Sequence, residues 1–366
     1  MAFAICVIMG HYTTCYENEV LKYSWHGWIS VEFFFILSGF LMAAYCARLP
    51  EYRHGLHAED EPVYAATWKF MKRKIAAISP VYYLALFLTV VHQIWVTDLF
   101  SQNIRDIRNF FAGLTASILI LPSQGLRETC AVAYSWYIGS MLWALLAIFP
   151  LLYILRKNFS LIIAPLLTIA FCCYAMQKHG NLWILREEWL GFCWPQLLRA
   201  GANISLGCIS FEISTLLRKR FEGRLTKVGR SLFTGFSIIL LCFPIFWIIN
   251  GVAGKPQFCV IVMMALGIAI SFSGLDNMYK LAEMKWSRTL FGFLGNLSLP
   301  IYLGQGIVSK IFPAELPAEE HGIYLFLVGC FIMAIILQYG GKCLTVSLKM
   351  MRKFLGRLCI SEKYNL

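Results

Sequence analysis

The chain has 366 residues, of which 59% are hydrophobic, 15% aromatic and only 14% charged, more apolar surface than a soluble core can hide. Its formal net charge of +12 falls mostly between apolar runs, where lysine and arginine act as topology signals, so no nucleic-acid partner is expected. Thirteen cysteines without CxxC spacing, mostly in apolar stretches, read as small buried hydrophobes and not as a disulfide or zinc scaffold.

Taken in chain order, apolar runs of bilayer length occupy 1–16, 28–47, 75–97, 132–155, 159–176, 195–214, 231–250, 258–274, 290–312 and 322–346. These ten runs predict a polytopic all-α membrane bundle. An eleventh run, Phe110 to Pro122, is shorter than the ~20 residues a helix needs to cross about 30 Å of hydrocarbon, and is expected to be re-entrant or interfacial. With that assignment, alternate loops hold 6, 2, 6, 3 and 6 lysines and arginines against 1, 3, 2, 1 and 0 in the opposite set. The bias predicts both termini in the cytoplasm. The first run lacks a basic start and a small-residue cleavage site, so no cleavable signal is expected. Residues 1–346 read as one integral-membrane domain without internal repeats, and 347–366 as a basic amphipathic tail, LKMMRKFLGRL, lying on the anionic inner leaflet.

Polar residues inside these runs are the candidates for function. Glu32 interrupts VEFFFILSGF; a mid-bilayer acid costs about 2.5–3.5 kcal/mol, so such a group is normally functional or paired. In the predicted topology His11, Glu32 and Arg199 share the outer half of the membrane. Tyr134, Ser135 and Trp136 open the fourth span at the same face, and Tyr302 and Gln305 lie seven to ten residues below the outer end of the ninth. Five spans thus bring polar groups to one depth, although a sequence gives no azimuth for any helix. Each group also has a plainer reading. Glu32 could pair with Arg199 to hold helices together, Trp136 and Tyr137 fit an interfacial aromatic belt, and Ser298 and Tyr302 fit helix packing. Gly39, Gly207 and Gly295 suit close helix approach, and His54 and His57 beside Glu59, Asp60 and Glu61 read as a solvated loop, so no metal is expected.

Several segments together resemble one family. VEFFFILSGF is similar to the second-helix motif of the acyltransferase 3 family, membrane O-acyltransferases acting mainly on bacterial surface carbohydrates. FMKRKIAAISPVYY resembles its basic segment before a proline and aromatic pair, SWYIGSMLWALLAIFPLLY its tryptophan motif, LLRAGANISLGC its arginine and glycine segment, and LGNLSLPIYLGQG its C-terminal serine and tyrosine motif. His11 fits the family's first-helix histidine. The arginine that precedes this histidine by eleven residues would fall just before Met1, Ala77 stands where a further arginine is common, and Gln305 stands where many relatives have histidine.

The resemblance implies transfer of an acyl group, in the first instance acetyl from acetyl-CoA, to a hydroxyl of a cell-surface or exported carbohydrate, by a multi-pass protein of the bacterial plasma membrane. His11 is then the candidate base, Glu32 the carboxylate orienting it, and Arg199 or Tyr302 the oxyanion donor. Ser135, Trp136, Tyr137, Tyr302 and Gln305 are the candidate substrate contacts. Lys72, Arg73 and Lys74 would meet the phosphates of the donor at a helix start on the inner face. The bilayer and the carbohydrate acceptor are the expected partners, with a separate glycan-assembly or acyl-accepting protein as a third. Two alternatives stay open: a transporter or flippase for a glycan or lipid-linked substrate, and a catalytically degenerate relative.

Overall fold

A chain this apolar must satisfy its backbone polar groups internally wherever lipid surrounds it, and the α-helix does this within one segment. The computed structural model describes residues 1–15, 26–50, 61–96, 100, 102–120, 132, 134–182, 190–191, 193–251, 254, 256–278, 283–312 and 320–363, with helices throughout and no strand among the described residues. In chain order they are α1 (Ala2–Cys15), α2 (Ser30–Cys46, entered through a 3-10 turn at Gly27–Ile29), α3 (Val63–Trp95), α4 (Ile104–Ile118) and α5 (Trp136–Leu155). There follow α6 (Ala164–His179, after a π-turn at Phe159–Ile163), α7 (Pro195–Phe221), α8 (Lys227–Ile249), α9 (Pro256–Ser271), α10 (Lys285–Ile311) and α11 (Glu320–Lys363).

Eight of these segments are long and apolar enough to cross a membrane. The expected first and eighth spans are apolar but shorter helices, Ala2–Thr13 and Pro256–Ser271. Helix ends follow local chemistry. Asn103 caps α4, its side chain accepting from the backbone N–H of Asp106 at 3.0 Å, Thr226 caps α8 through Gly229 at 3.2 Å, and Pro195 opens α7 with its fixed φ. Gly180 stops α6 in the left-handed region at φ 67°.

The short segment expected at Phe110–Pro122 is α4, whose 15 residues span about 22 Å. Its charged start, Arg105, Asp106 and Arg108, is exposed or half-buried, and its last turn is fixed to α3, where Tyr82 Oη donates to the Ser117 carbonyl at 2.8 Å and Tyr83 Oη to the Ile118 carbonyl at 3.0 Å.

The core is organised around α2 and α7, the most extensively packed helix pair. One apolar cluster joins them to α3, α5 and part of α10, a second to α6, α8 and α9, while a third links α1, α10 and α11. Such enclosure explains how α7 carries Gln196, Arg199, Asn203, Ser205, Ser210, Glu212 and Ser214 buried within a spanning-length helix, since neighbours screen them from lipid. Two glycines set the α2–α7 distance. A Cβ on Gly39 would overlap the Ile204 carbonyl, and one on Gly207 the Ile36 carbonyl. Gly295, read from the sequence as a third close-approach glycine, is exposed on α10 and has nothing among the described residues within 4 Å of an added Cβ.

Candidate active site

His11 sits in the last turns of α1, where the main chain is held by contact with the turn before α2: a Cβ on Gly10 would come within 2.9 Å of the Gly27 Cα. The imidazole is partly buried and lies flat on the ring of Tyr134, with centroids 3.7 Å apart and planes within 14°. Tyr134 precedes α5 at φ 65°, a left-handed conformation unusual for a side chain of this kind. Its carbonyl accepts from Tyr302 Oη of α10 at 2.8 Å. The Tyr302 ring in turn meets the Tyr137 ring at 5.4 Å, and Tyr137 packs on Phe35 of α2 at 4.7 Å.

Phe35 also meets the ring of Trp136 at 6.4 Å, and Trp136 in turn meets a charged group. Glu32, 1% exposed, accepts from Arg199 Nε and, at 2.6 Å, from Asn203 Nδ2. Arg199 Nη2 also donates to the Trp28 carbonyl at 3.1 Å, while the guanidinium lies 5.4 Å from the ring centroids of both Trp28 and Trp136. A guanidinium has five N–H donors, and these two bonds leave the others for a further acceptor. The Glu32–Arg199 pair therefore presents a neutral couple with unspent donors, clamped between two indoles at the start of α7. Glu32's hydrogen bonds run to α7 and not to His11, so the pairing of carboxylate with imidazole drawn from the sequence gives way to the carboxylate–guanidinium alternative. The reason is geometric: Arg199 and Asn203 are one helical turn apart and present both donors to α2 together.

The remaining candidates fall in the same cluster. Gln305, fully buried, donates through Nε2 to the Tyr302 carbonyl at 2.9 Å, and its Oε1 has no partner among the described residues. Ser135 Oγ, equally buried, has none either. The Tyr137 hydroxyl faces the Met141 sulfur at 3.5 Å, shared with Ser38 Oγ at 3.3 Å. The structure thus brings His11, Glu32, Arg199, Ser135, Trp136, Tyr137, Tyr302 and Gln305 into one contiguous group from five helices. Asn203, Trp28 and Tyr134 complete it. Of these, Asn203 had a signal, an amide four residues after Arg199 on the same helical face.

Lys72, Arg73 and Lys74 lie elsewhere, and the expected helix start is corrected. α3 begins at Val63, so the three cations sit nine to eleven residues inside it, where backbone N–H groups are consumed by the helix and only side-chain charge can meet an anion. Charges hid this part of the helix from a hydropathy reading. Each cation rests on an aromatic ring, Lys72 on Trp68 at 5.3 Å, Arg73 on Tyr45 at 5.5 Å and Lys74 on Phe70 at 5.9 Å. Of the acidic stretch that precedes α3 in sequence, 51–60 lies outside the described residues, including His54, His57, Glu59 and Asp60, while Glu61 pairs with Lys69 at 3.3 Å.

Compared with known proteins, residues 2–339 match a family model described as an acyltransferase domain. No curated protein and no solved structure matches the chain.

Proposed function

The chain belongs to the acyltransferase 3 family, and from that membership we propose that it transfers an acyl group, in the first instance acetyl from acetyl-CoA, to a hydroxyl of a cell-surface or exported carbohydrate. The observation that carries this reading is the contact chain running from His11 through Tyr134, Tyr302, Tyr137 and Phe35 to Trp136, Arg199 and Glu32.

O-acyl transfer needs a base and a positive group, and the cluster holds one of each. His11 takes the proton from the acceptor hydroxyl as that oxygen bonds to the thioester carbonyl carbon; an imidazole near pKa 6.5 suits this at neutral pH. Arg199, with donors left over from Glu32 and Trp28, meets the negative charge that develops on the carbonyl oxygen. Glu32, itself held by the Asn203 amide, fixes Arg199 and neutralises it in the resting protein. As the C–S bond breaks, His11 returns its proton to the departing thiolate. Ser135 and Gln305, each with a buried oxygen unpartnered among the described residues, supply polar contacts to the acceptor, and Trp136 and Tyr137 supply aromatic faces for a sugar ring.

Lys72, Arg73 and Lys74 fit the donor's phosphates by charge and by position. Tyr45, which carries Arg73, lies thirteen residues beyond Glu32 on α2, or ~20 Å along the axis. With the amino terminus in the cytoplasm, as the loop charges favour, these cations face the cytosol, and the separation suits an extended pantetheine arm reaching toward the His11 level.

The test is turnover of acetyl-CoA by the purified chain in a membrane mimetic with a mixed surface-glycan acceptor. Transfer is expected with the native chain and a loss of about 10²–10⁴-fold with His11→Ala. Transfer that survives His11→Ala removes the proposed base, and a chain that neither binds nor turns over acetyl-CoA overturns the reading in favour of transport.

A further inference from the structure

We infer that Tyr134 is the residue that positions the His11 imidazole, a role that rests on the reading of His11 as the base. The two rings lie face to face at 3.7 Å and 14°, a contact between α1 and the lead into α5 that no sequence spacing announces. Four supports converge on it. The Gly10–Gly27 approach holds the main chain beside His11. Tyr134 itself adopts φ 65°, which in a residue with a Cβ persists only where the surroundings impose it. Tyr302 Oη of α10 pins the Tyr134 carbonyl at 2.8 Å, and α5 begins two residues later and fixes the other side.

What this stack does follows from where Glu32 points. In a triad the carboxylate orients the imidazole and stabilises the imidazolium formed when it takes a proton. Here both Glu32 oxygens are engaged by Arg199 and Asn203. The face of the Tyr134 ring supplies the corresponding service: it restricts the imidazole's rotation and presents its negative π-face to the cation that forms. The stack is made by the ring face, so phenylalanine is expected to serve at this position.

The experiment compares Tyr134→Phe, Tyr134→Asn and His11→Ala in the full chain in membrane mimetic, with kcat and KM measured for acetyl-CoA. Asparagine removes the ring while accepting the left-handed backbone, so the variant tests stacking without adding backbone strain. Tyr134→Phe is expected to keep kcat within about twofold, and Tyr134→Asn to lower it about 10–100-fold with KM for acetyl-CoA unchanged, as misplacement of a reacting group does. Native kcat in Tyr134→Asn alongside an inactive His11→Ala overturns the positioning role and leaves the base assignment standing. Transfer retained by His11→Ala overturns both. A second readout needs no turnover: carbethoxylation of His11 by diethylpyrocarbonate, followed by mass spectrometry. It should be slow in the native chain and in Tyr134→Phe and several-fold faster in Tyr134→Asn; equal rates in all three sink the inference.

Discussion

The α2–α7 seam and the Lys72–Lys74 stretch of α3 both bear charge, yet the two are built on opposite terms. At the seam Glu32 and Arg199 are about as buried as side chains become, at 1% and 2% exposure, and each hydrogen bond goes to a group on α2, on α7 or in the turn that enters α2. On α3, Lys72 and Arg73 are exposed, and what holds the three cations is an aromatic ring beneath each. Charge inside the bundle is part of the packing, and charge on this stretch of α3 is available to something else. Substitutions should therefore break the fold in the first region and only the donor's affinity in the second.

The largest effect is expected where the seam is tightest. Gly207→Leu or Gly39→Leu places atoms where the Ile36 or Ile204 carbonyl now stands, and backbone cannot yield as a flexible side chain would. Both variants should fail to give a monodisperse species on size-exclusion in detergent. Gly295→Ala is the control, with nothing within 4 Å of the new methyl, and should stabilise by up to about 1 kcal/mol through helix propensity. A well-folded Gly207→Leu would show that the seam is loose.

Next comes the buried pair. Removing one partner leaves an uncompensated charge among packed helices, so Glu32→Gln and Arg199→Met should each cost about 3–5 kcal/mol in a reversible detergent-unfolding assay, and the double variant should recover part of that loss. Asn203→Ala leaves Glu32 with its Arg199 bond and should cost about 2 kcal/mol. Additive losses across the Glu32 and Arg199 variants would mean that the two charges do not depend on each other.

The same contrast explains what could be read without coordinates. Among the described residues the apolar runs coincide with eight helices long and apolar enough to cross a membrane and two shorter apolar ones, because the bilayer demands long runs of one kind. Their ends were misjudged because hydropathy reports where lipid stops, whereas the hydrogen-bond ladder continues past it. Thus α3 starts at Val63 through a charged stretch, and α11 runs unbroken from Glu320 to Lys363 across the boundary drawn at 346. The site was legible as a list of polar residues at one depth, since an intramembrane Glu, His or Arg stands out against its run. Its wiring was not legible. Whether Glu32 faces His11 or Arg199 depends on helix rotation, and the stack of His11 on Tyr134 depends on a left-handed residue just before a helix. Asn203 was within reach, since an amide four residues after an arginine shares its face.

The smallest effect on stability, and the sharpest test of the contrast, belongs to the cations. Lys72→Gln and Arg73→Gln each remove an exposed charge over a ring, and surface changes of this kind shift stability by about 0.5 kcal/mol or less. If the stretch serves the donor, each should raise KM for acetyl-CoA and leave kcat in place, because contacts to phosphates are made alike in the ground and transition states. Arg73→Lys separates charge from shape. It keeps the cation but loses the guanidinium's contact with the Tyr45 ring and its bond to the Tyr45 hydroxyl at 3.4 Å, so its KM should fall between the native chain and Arg73→Gln. A rise in salt should weaken donor binding in the native chain more than in the double Gln variant, since fewer exposed charges remain to be screened. Should the Gln variants instead unfold the bundle while KM holds, the cations would be structural, and the difference between the two regions would be one of degree.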